Sequence, residues 1–388
     1  MTSDQPEHAF GVNPPICDSS TFFYRDPATM KGVFAGEVED CYLYSRHSHP
    51  SSDALAAGVA AMEGSESAVV TASGMAAITC AVLQLAQAGD EIVASRMLYG
   101  GTYALFKNVF PRFGITVKFV DMRDLGSVQA AISDKTRVVF TESVSNPLLE
   151  VCDIAALADM THGVGAQLLV DNTFCPLVMR PLALGADIVI HSMTKYINGS
   201  SDCVAGAICC SAEFRARLID VGDGMSMLLG PTLDAIRAAS ILKNLGTLDV
   251  RMERHSRNAA MVSNALMADG AKVYYPGHES HPQYALFQRQ KRPCQGDSGM
   301  VVVDAGSQER ARQFMMGMES RGVGLIAVSL GFHRTLISNP GGSTSSEIPE
   351  EERHAMGLTD GLVRLSVGLD SDIERTIRLI SEAWIASA

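Results

Sequence analysis

Short apolar runs alternate with longer segments of helical periodicity through the middle half of the chain. Segments such as 74–87 and 154–162 repeat apolar residues at the three- and four-residue spacing of an amphipathic helix. The runs between such segments are short and apolar, which predicts strands. They lie at 68–71, 91–94, 117–120, 137–141, 167–170, 187–190 and 206–209. This alternation predicts an α/β fold whose mostly parallel sheet is covered by helices on both faces.

The pattern changes after a helical stretch at 233–260. Fewer and more widely separated strands follow, at 272–275, 300–304, 324–329 and 362–367. Because 388 residues exceed what one hydrophobic core usually supports, two domains are expected. We predict a large α/β domain at 51–246 and a smaller C-terminal α+β domain at 247–388.

Two segments show little periodicity. Residues 1–50 contain several Pro and Gly, and we expect an extended N-terminal arm that packs on a neighbouring subunit. The connection 336–356 is rich in Ser, Gly and Glu, which predicts a loop followed by a solvated acidic turn at 350–352.

The composition excludes several classes of function. The net charge of −12 argues against a nucleic-acid surface or an anionic membrane as partner. The first residues are polar and acidic, and no apolar run approaches roughly 18 residues, so we expect a cytoplasmic protein. Nine cysteines form neither a zinc pattern nor a disulfide framework. We expect reduced core cysteines and no metal.

Two residues at the ends of predicted strands indicate cofactor chemistry. Asp171 closes one strand, and Lys195 follows another. Either residue alone is more often a surface group. Together they suit pyridoxal 5'-phosphate (PLP), whose aldehyde needs a lysine amine and whose pyridine nitrogen needs a carboxylate to stay protonated. Ligands of such sheets bind outside the carboxyl ends of the strands, where both residues would meet.

A phosphate site is predicted beside this pair. Ser73, Gly74 and Met75 follow a strand and open a helix, so their N–H groups and the helix dipole favour an anion. Ser is also an ordinary N-cap, which is the alternative interpretation. Ser192 and Thr194 flank the lysine closely enough to donate hydroxyls to the same phosphate.

Aromatic and basic residues complete the candidate set. Tyr99 lies on a strand-to-helix loop, where it could stack on the cofactor ring or serve as half-buried packing. Tyr44 and Arg46 are two residues apart in the arm and would point to the same side of an extended chain. The planar guanidinium of Arg46 suits phosphate, although a surface position is common for arginine.

These motifs, in this order and spacing, resemble the Cys/Met-metabolism PLP enzymes of fold-type I, the aspartate-aminotransferase-like class. That family includes methionine γ-lyase, cystathionine γ-lyase, cystathionine γ-synthase and O-acetylhomoserine sulfhydrylase. The resemblance covers nearly the whole chain, and the segments 98–102, 230–232 and 343–347 are most similar to plant-type methionine γ-lyases. The matching motifs lie at 44–46, 73–75, 98–102, 170–174, 192–195 and 361–368.

The resemblance implies a role for each matching residue. Lys195 would bind the cofactor and move protons, Asp171 would pair with its ring nitrogen, and Tyr99 would stack on the ring and act as acid or base. Arg364 would hold the substrate carboxylate, assisted by Asn146 and by a further residue, Ser329. The phosphate contacts would be Ser73, Gly74, Met75, Ser192 and Thr194 from one subunit, and Tyr44 and Arg46 from its neighbour. A shared site implies at least a dimer, and a tetramer is usual in the family.

Three departures from the family pattern bear on the substrate. Gly101 stands where bacterial methionine γ-lyases usually have a cysteine. Arg334, a candidate substrate contact, stands where the family usually has a glutamate, so either a surface loop has changed or the γ-substituent differs. His47 and His49 replace part of an Asn-Pro-Thr run. They could touch the substrate or bind a metal, but we expect both to be exposed loop residues. We also expect His278 and His281 elsewhere in the chain to be loop residues.

The resemblance implies a PLP-dependent γ-lyase, a carbon–sulfur lyase that converts methionine into 2-oxobutanoate, ammonia and methanethiol. Cystathionine cleavage, γ-replacement on O-acetylhomoserine or cystathionine, and removal of an N- or O-linked group such as that of canavanine stay open. A binding protein that has lost catalysis is disfavoured because Lys195, Asp171, Tyr99 and Arg364 are all present.

Overall fold

Two β-sheets organise the chain, one of seven strands and one of five. The computed structural model describes residues 11–35, 37–38, 41–293, 295–343 and 348–388. Residues 344–347, which belong to one of the motifs compared above, therefore lie outside the described residues, as do 1–10, 36 and 39–40 of the arm. The strands of the first sheet are β1 (Ser67–Thr71), β2 (Glu91–Ser95), β3 (Thr116–Val120), β4 (Thr136–Glu142), β5 (Gln167–Asp171), β6 (Ile188–Ser192) and β7 (Gly206–Cys210).

The first sheet is mostly parallel, which confirms the predicted fold class. Its order is β1-β7-β6-β5-β4-β2-β3, and only β7 runs antiparallel to its neighbours. Strands β4, β5 and β6 are apolar and almost fully buried, as parallel strands with helices on both faces require. In the register of β4 and β5, Glu142 lies opposite Asp171. The carboxyl ends of the central strands therefore bring polar side chains together.

Helices surround this sheet and continue into the C-terminal part. The helical stretch expected at 233–260 is in fact two helices that meet at Gly246 and Thr247. The helices are α1 (Pro27–Phe34), α2 (Pro50–Glu63), α3 (Gly74–Leu85), α4 (Gly100–Ala104), α5 (Leu125–Ala131), α6 (Ile154–His162), α7 (Ala212–Leu218), α8 (Met225–Leu229), α9 (Ala235–Leu245), α10 (Leu248–Ala268), α11 (Tyr284–Gln290), α12 (Gln308–Ser320), α13 (Glu350–Ala355) and α14 (Ile373–Ala386).

The second sheet lies in the C-terminal part of the chain, is smaller than the first and is mostly antiparallel. In β9 the side chains of Met300 and Val302 join the core of the first sheet, whereas Val301 and Val303 pack in a second core. The period of two along a strand explains this division. The strands are β8 (Lys272–Tyr274), β9 (Met300–Asp304), β10 (Gly324–Ile326), β11 (Thr335–Ser338) and β12 (Leu362–Ser366), in the order β10-β11-β12-β9-β8.

The prediction of a loop and a turn at 336–356 was wrong at both ends. The segment enters through β11, whose four buried residues pair with a strand on each side. That strand is too short for its own pattern to identify it, and pairing stabilises it. Glu350, Glu351 and Glu352 form the first turn of α13, where the helix dipole favours acidic residues.

The N-terminal arm also contains more structure than expected. Asp26 caps α1, whose first residue is a proline, within the segment predicted as extended. The prediction that His49 is exposed was wrong, because the residue is 2% exposed and its ring accepts the Ser52 N–H as the N-cap of α2. His47 is half-buried, so the prediction that it is exposed was wrong as well. His278 and His281 lie in a loop as predicted, and His281 is buried there.

The prediction of reduced cysteines in the core holds for most of the described cysteines. Of the described cysteines all are free, and most are buried, but Cys41 is exposed, so the core prediction fails there. Across the described ranges, no helix is both long enough and apolar enough to cross a membrane.

Candidate active site

A cavity of about 250 Å³ opens at the carboxyl ends of β4, β5 and β6. On the opposite side, the cavity is lined by Ser329 and Leu330 of the loop between β10 and β11, and by Arg364 of β12. The predicted site residues that line this cavity are Ser73, Gly74, Met75, Tyr99, Asn146, Asp171, Ser192, Thr194, Lys195, Ser329 and Arg364.

Lys195 lies just past β6, and its side chain contacts Ser329 in the loop between β10 and β11. Its Nζ donates a hydrogen bond of 2.8 Å to Ser329 Oγ. Ser329 has a φ of 95°, a left-handed conformation that is rare for a serine and costs about 1–3 kcal/mol. Burial, followed by the nearby charge of Arg364, lowers the pKa of Lys195 to about 8. A larger fraction of the amine is therefore neutral near neutral pH than in an ordinary lysine.

Two carboxylates lie next to each other in the cavity wall. Asp171 accepts the Thr173 N–H at 2.9 Å, and burial raises its pKa. Glu142 accepts two backbone N–H groups, from Tyr99 at 2.7 Å and from Asn146 at 2.8 Å. Burial, followed by the charge of Asp171, raises the pKa of Glu142. A cation placed against this pair would therefore be strongly favoured.

The beginning of α3 forms a cradle with no room for larger residues. The Ser73 hydroxyl caps the helix by accepting the Ala76 N–H at 3.0 Å. A Cβ on Gly74 would lie 2.9 Å from Ser192 Cβ, and a Cβ on Gly206 would lie 2.2 Å from Ser73 O. The start of the helix therefore lies close against the end of β6. Its first N–H groups have no partner within the helix, so an anion placed beside them would be favoured.

Arg364 is a buried cation in the centre of the second sheet. It is 2% exposed, and its Nη1 donates to Asn146 Oδ1 at 2.9 Å while Nη2 donates to Ser329 O at 3.3 Å. Burial lowers its pKa to about 10. Within the described part of the chain, no carboxylate forms an ion pair with it. A buried arginine of this kind is completed by an anionic ligand.

The ring of Tyr99 rests on Gly101. Tyr99 is 42% exposed and immediately precedes α4. A Cβ on Gly101 would lie 2.6 Å from Tyr99 Cε1, closer than real side chains approach. The tyrosine ring can occupy this position only because residue 101 has no side chain.

We expect Gly101→Ala to displace the Tyr99 ring and to lower turnover by about ten-fold, since a misplacement of 1 Å can cost about 100-fold. Folding should be unaffected or improved, because alanine is favoured in a helix by about 0.5–1 kcal/mol. Steady-state kinetics and thermal unfolding measure the two effects. Gly163→Ala is the matched control, since its Cβ would meet nothing closer than 3.4 Å. Unchanged turnover in Gly101→Ala would show that the ring position does not matter.

Three predicted residues do not line the cavity. Arg334 is exposed on the loop before β11. Tyr44 is 43% exposed in the arm, and Arg46 donates from Nη1 to Met227 O at 2.8 Å in the same chain. The family resemblance assigns Tyr44 and Arg46 to a neighbouring subunit's site, and that assignment stays a prediction.

No role was predicted from the sequence for Glu142 and Thr173, which also line the cavity. Glu142 ends β4 just as Asp171 ends the adjacent β5, so the rule that identified Asp171 could have found it. Thr173 Oγ1 accepts the Ser192 N–H at 2.8 Å and joins the ends of β5 and β6. No sequence signal pointed to this bond.

The residues present fit PLP. The cavity offers a lysine with a lowered pKa, a partly buried carboxylate, and a cramped helix N-terminus for a phosphate. These three features suit the aldehyde, the ring nitrogen and the phosphate of the cofactor, respectively.

Comparisons with known proteins give the same result. A family model described as Cys/Met metabolism PLP-dependent enzyme matches residues 2–380. The chain is 41% identical over 385 residues to methionine gamma-lyase of Arabidopsis thaliana, covering 98% of this chain and 87% of that protein. It is 38% identical over 356 residues to O-succinylhomoserine sulfhydrylase of Pseudomonas aeruginosa, covering 91% and 86%.

A solved structure also matches. The crystal structure of cystathionine gamma-lyase from Lactobacillus plantarum, complexed with L-serine, superposes with a TM-score of 0.87 at 32% identity, over 96% of this chain and 93% of that one. The matches span nearly the whole sequence and confirm the resemblance drawn from the motifs. The chain therefore belongs to the family of Cys/Met metabolism PLP-dependent enzymes.

Proposed function

We propose that this protein is a γ-lyase that converts L-methionine into 2-oxobutanoate, ammonia and methanethiol. The observation that carries the proposal is the buried guanidinium of Arg364, which faces the same cavity as Lys195. An α-amino acid bound by its carboxylate at Arg364 would present its α-carbon near Lys195. The similarity to methionine gamma-lyase of Arabidopsis thaliana supports methionine as the substrate.

The chain would hold PLP through Lys195, with Asp171 at the ring nitrogen. Ser73, Gly74 and Met75 would receive the phosphate. Ser192 and Thr194 would contribute from the end of β6 and the turn that follows. Bound there, PLP supplies an electron sink for negative charge that develops on the substrate.

Proton transfer would fall to two side chains. Lys195 carries its amine on a flexible stem, so it can reach more than one substrate carbon, and its lowered pKa suits a base. Tyr99 would supply a second acid for the leaving group. Ser329 and Asn146 would orient Lys195 and Arg364 through the hydrogen bonds already described.

The cavity wall favours a thioether as leaving group. Ile78, Val204 and Leu330 contribute apolar surface to it. Arg334, whose charge differs from the family pattern, is exposed and does not line the cavity. An apolar wall is better suited to the S-methyl group of methionine than to the charged end of cystathionine or canavanine.

A substrate panel tests the proposal. The PLP-loaded protein is incubated with methionine, cystathionine, O-acetylhomoserine and canavanine, with and without a competing thiol, and 2-oxo acid, ammonia and amino acids are followed together. The proposal predicts that methionine yields equal amounts of 2-oxobutanoate and ammonia. Preferred turnover of another compound would replace the substrate, and a new thioether amino acid as main product would indicate γ-replacement.

We further propose that two subunits share each site. Phe23 is 80% exposed and Phe34 59% exposed in the arm, and Leu228 and Leu229 are 50% and 54% exposed on α8. Apolar surface of this extent is typical of an interface. It adjoins Arg46, which contacts α8 through Met227, so a second copy packed here would receive Arg46 at its own site.

Mixing two inactive variants tests the shared site. Arg46→Ala would damage the neighbour's site, whereas Lys195→Ala damages the chain's own site. Half of randomly formed dimers are mixed and carry one intact site of two, so co-refolding should restore about a quarter of wild-type activity. Lys195→Ala mixed with Asp171→Asn is the control, because each site then keeps one defect. No restoration in the first mixture would contradict the shared site.

A further inference from the structure

A path of hydrogen-bonded residues connects Tyr99 to Lys195, and Glu142 joins Tyr99 to the rest of it. Glu142 binds the backbone N–H of Tyr99 through Oε1 at 2.7 Å and that of Asn146 through Oε2 at 2.8 Å. From Asn146 the path continues through Arg364 and Ser329 to Lys195. The connecting bonds are Arg364 Nη1 to Asn146 Oδ1 at 2.9 Å, Arg364 Nη2 to Ser329 O at 3.3 Å and Lys195 Nζ to Ser329 Oγ at 2.8 Å.

We propose that Glu142 is a positioning residue that fixes Tyr99 and Asn146 relative to each other. This inference rests on the proposed function and deepens it, since it assigns a role to a residue that contacts the machinery without being part of the chemistry. Tyr99 and Asn146 belong to different segments, one following β2 and the other following β4. One carboxylate with one oxygen for each N–H is the link that joins them.

A carboxyl group is suited to joining the N–H groups of Tyr99 and Asn146. Both partners are N–H donors, so each oxygen of Glu142 must accept one hydrogen bond. An amide, which presents one oxygen and one NH₂, cannot do this. Glu142 is 6% exposed, hence water cannot easily take over the two N–H groups if the side chain is lost. Tyr99 immediately precedes α4, and its side chain makes no capping hydrogen bond to that helix.

The decisive variant is Glu142→Gln. Glutamine has nearly the same shape but presents one oxygen and one NH₂, so it can accept only one of the two N–H groups and opposes the other with a donor. We expect amide hydrogen exchange at Tyr99 or Asn146 to accelerate about ten-fold or more in the full-length protein, with or without PLP. We expect kcat/KM for methionine to fall about ten- to a hundred-fold.

A matched control separates positioning from general destabilisation. Glu91 also accepts two hydrogen bonds, from Lys118 Nζ and Ser133 Oγ, both at 2.6 Å, but it lies at the amino end of β2. Glu91→Gln should leave turnover and exchange at Tyr99 and Asn146 unchanged. Glu142→Asp keeps the charge but is one methylene shorter, so a bridging role predicts impairment here too, whereas a purely electrostatic role predicts rescue.

A double-mutant cycle completes the test. If Glu142 acts through the Tyr99 hydroxyl, then Glu142→Gln should reduce turnover less in a Tyr99→Phe background than in the wild type. Additive losses, or wild-type exchange and turnover in Glu142→Gln, would overturn the proposal. If the wild type turned over no γ-substituted amino acid, the proposed function would fail, yet the exchange of the two amides would still decide the role of Glu142.

Discussion

Replacing Lys195 by alanine is expected to abolish turnover, with kcat reduced by about four orders of magnitude or more. General acid–base catalysis alone is worth about 100- to 10,000-fold, and this residue would also hold the cofactor covalently. The fold should survive, because among the described residues the amine hydrogen-bonds only to the Ser329 side chain. Burial also penalises its charged form, which lowers its pKa, so removing the amine should cost little stability.

Product formation, cofactor absorbance and thermal unfolding measure the three parts of this expectation. The Lys195→Ala protein should lose the visible absorbance of lysine-bound PLP together with turnover, while its unfolding temperature stays within a few degrees of the wild type. Lys243→Ala, at an exposed position of α9, is the matched control and should behave as the wild type. Turnover within ten-fold of the wild type would mean that Lys195 is not the catalytic lysine.

The second large effect is expected for Arg364→Lys. Lysine keeps the charge but loses the planar fork that meets a carboxylate with two hydrogen bonds. Losing one hydrogen bond to a charged group costs about 1.5–3 kcal/mol, so KM for methionine should rise about ten-fold or more. Because Arg364 also binds Asn146 and Ser329, some loss of kcat should accompany it.

Methioninamide, which lacks the carboxylate, makes this test specific. The wild type should strongly prefer methionine over the amide, and Arg364→Lys should lose most of that preference. Arg334→Lys is the matched control at an exposed arginine, and it should change neither KM nor the preference. An unchanged preference in Arg364→Lys would show that the carboxylate binds elsewhere.

Much of the fold could be predicted because its strands are locally distinct. A strand was predicted at 300–304, which are the observed bounds of β9, because this segment is short and apolar and follows a glycine. Strand β11 was missed because four residues give too short a pattern, and its neighbours on both sides determine its structure. His49 was misjudged for a similar reason, because its burial depends on Leu233, whose carbonyl oxygen lies 3.2 Å from its Nε2.

Some residues of the candidate site could likewise be predicted from the sequence, and others could not. Asp171 and Lys195 could be identified because topology alone brings the ends of β5 and β6 together. The resemblance, and not the topology, indicated Arg364, which reaches the cavity from the second sheet. Glu142 carries no motif of its own, and its importance follows only from the two N–H groups that it joins in space.

The most direct test of the central claim is incubation of the PLP-loaded protein with L-methionine in D₂O, followed by NMR of the products. Loss of the γ-substituent leaves Cγ to be protonated before it becomes the methyl carbon of 2-oxobutanoate. We therefore expect 2-oxobutanoate with one solvent deuterium in its methyl group, in amounts equal to methanethiol. Methionine that exchanges only its α-hydrogen, or that releases no thiol, would contradict γ-elimination at this site.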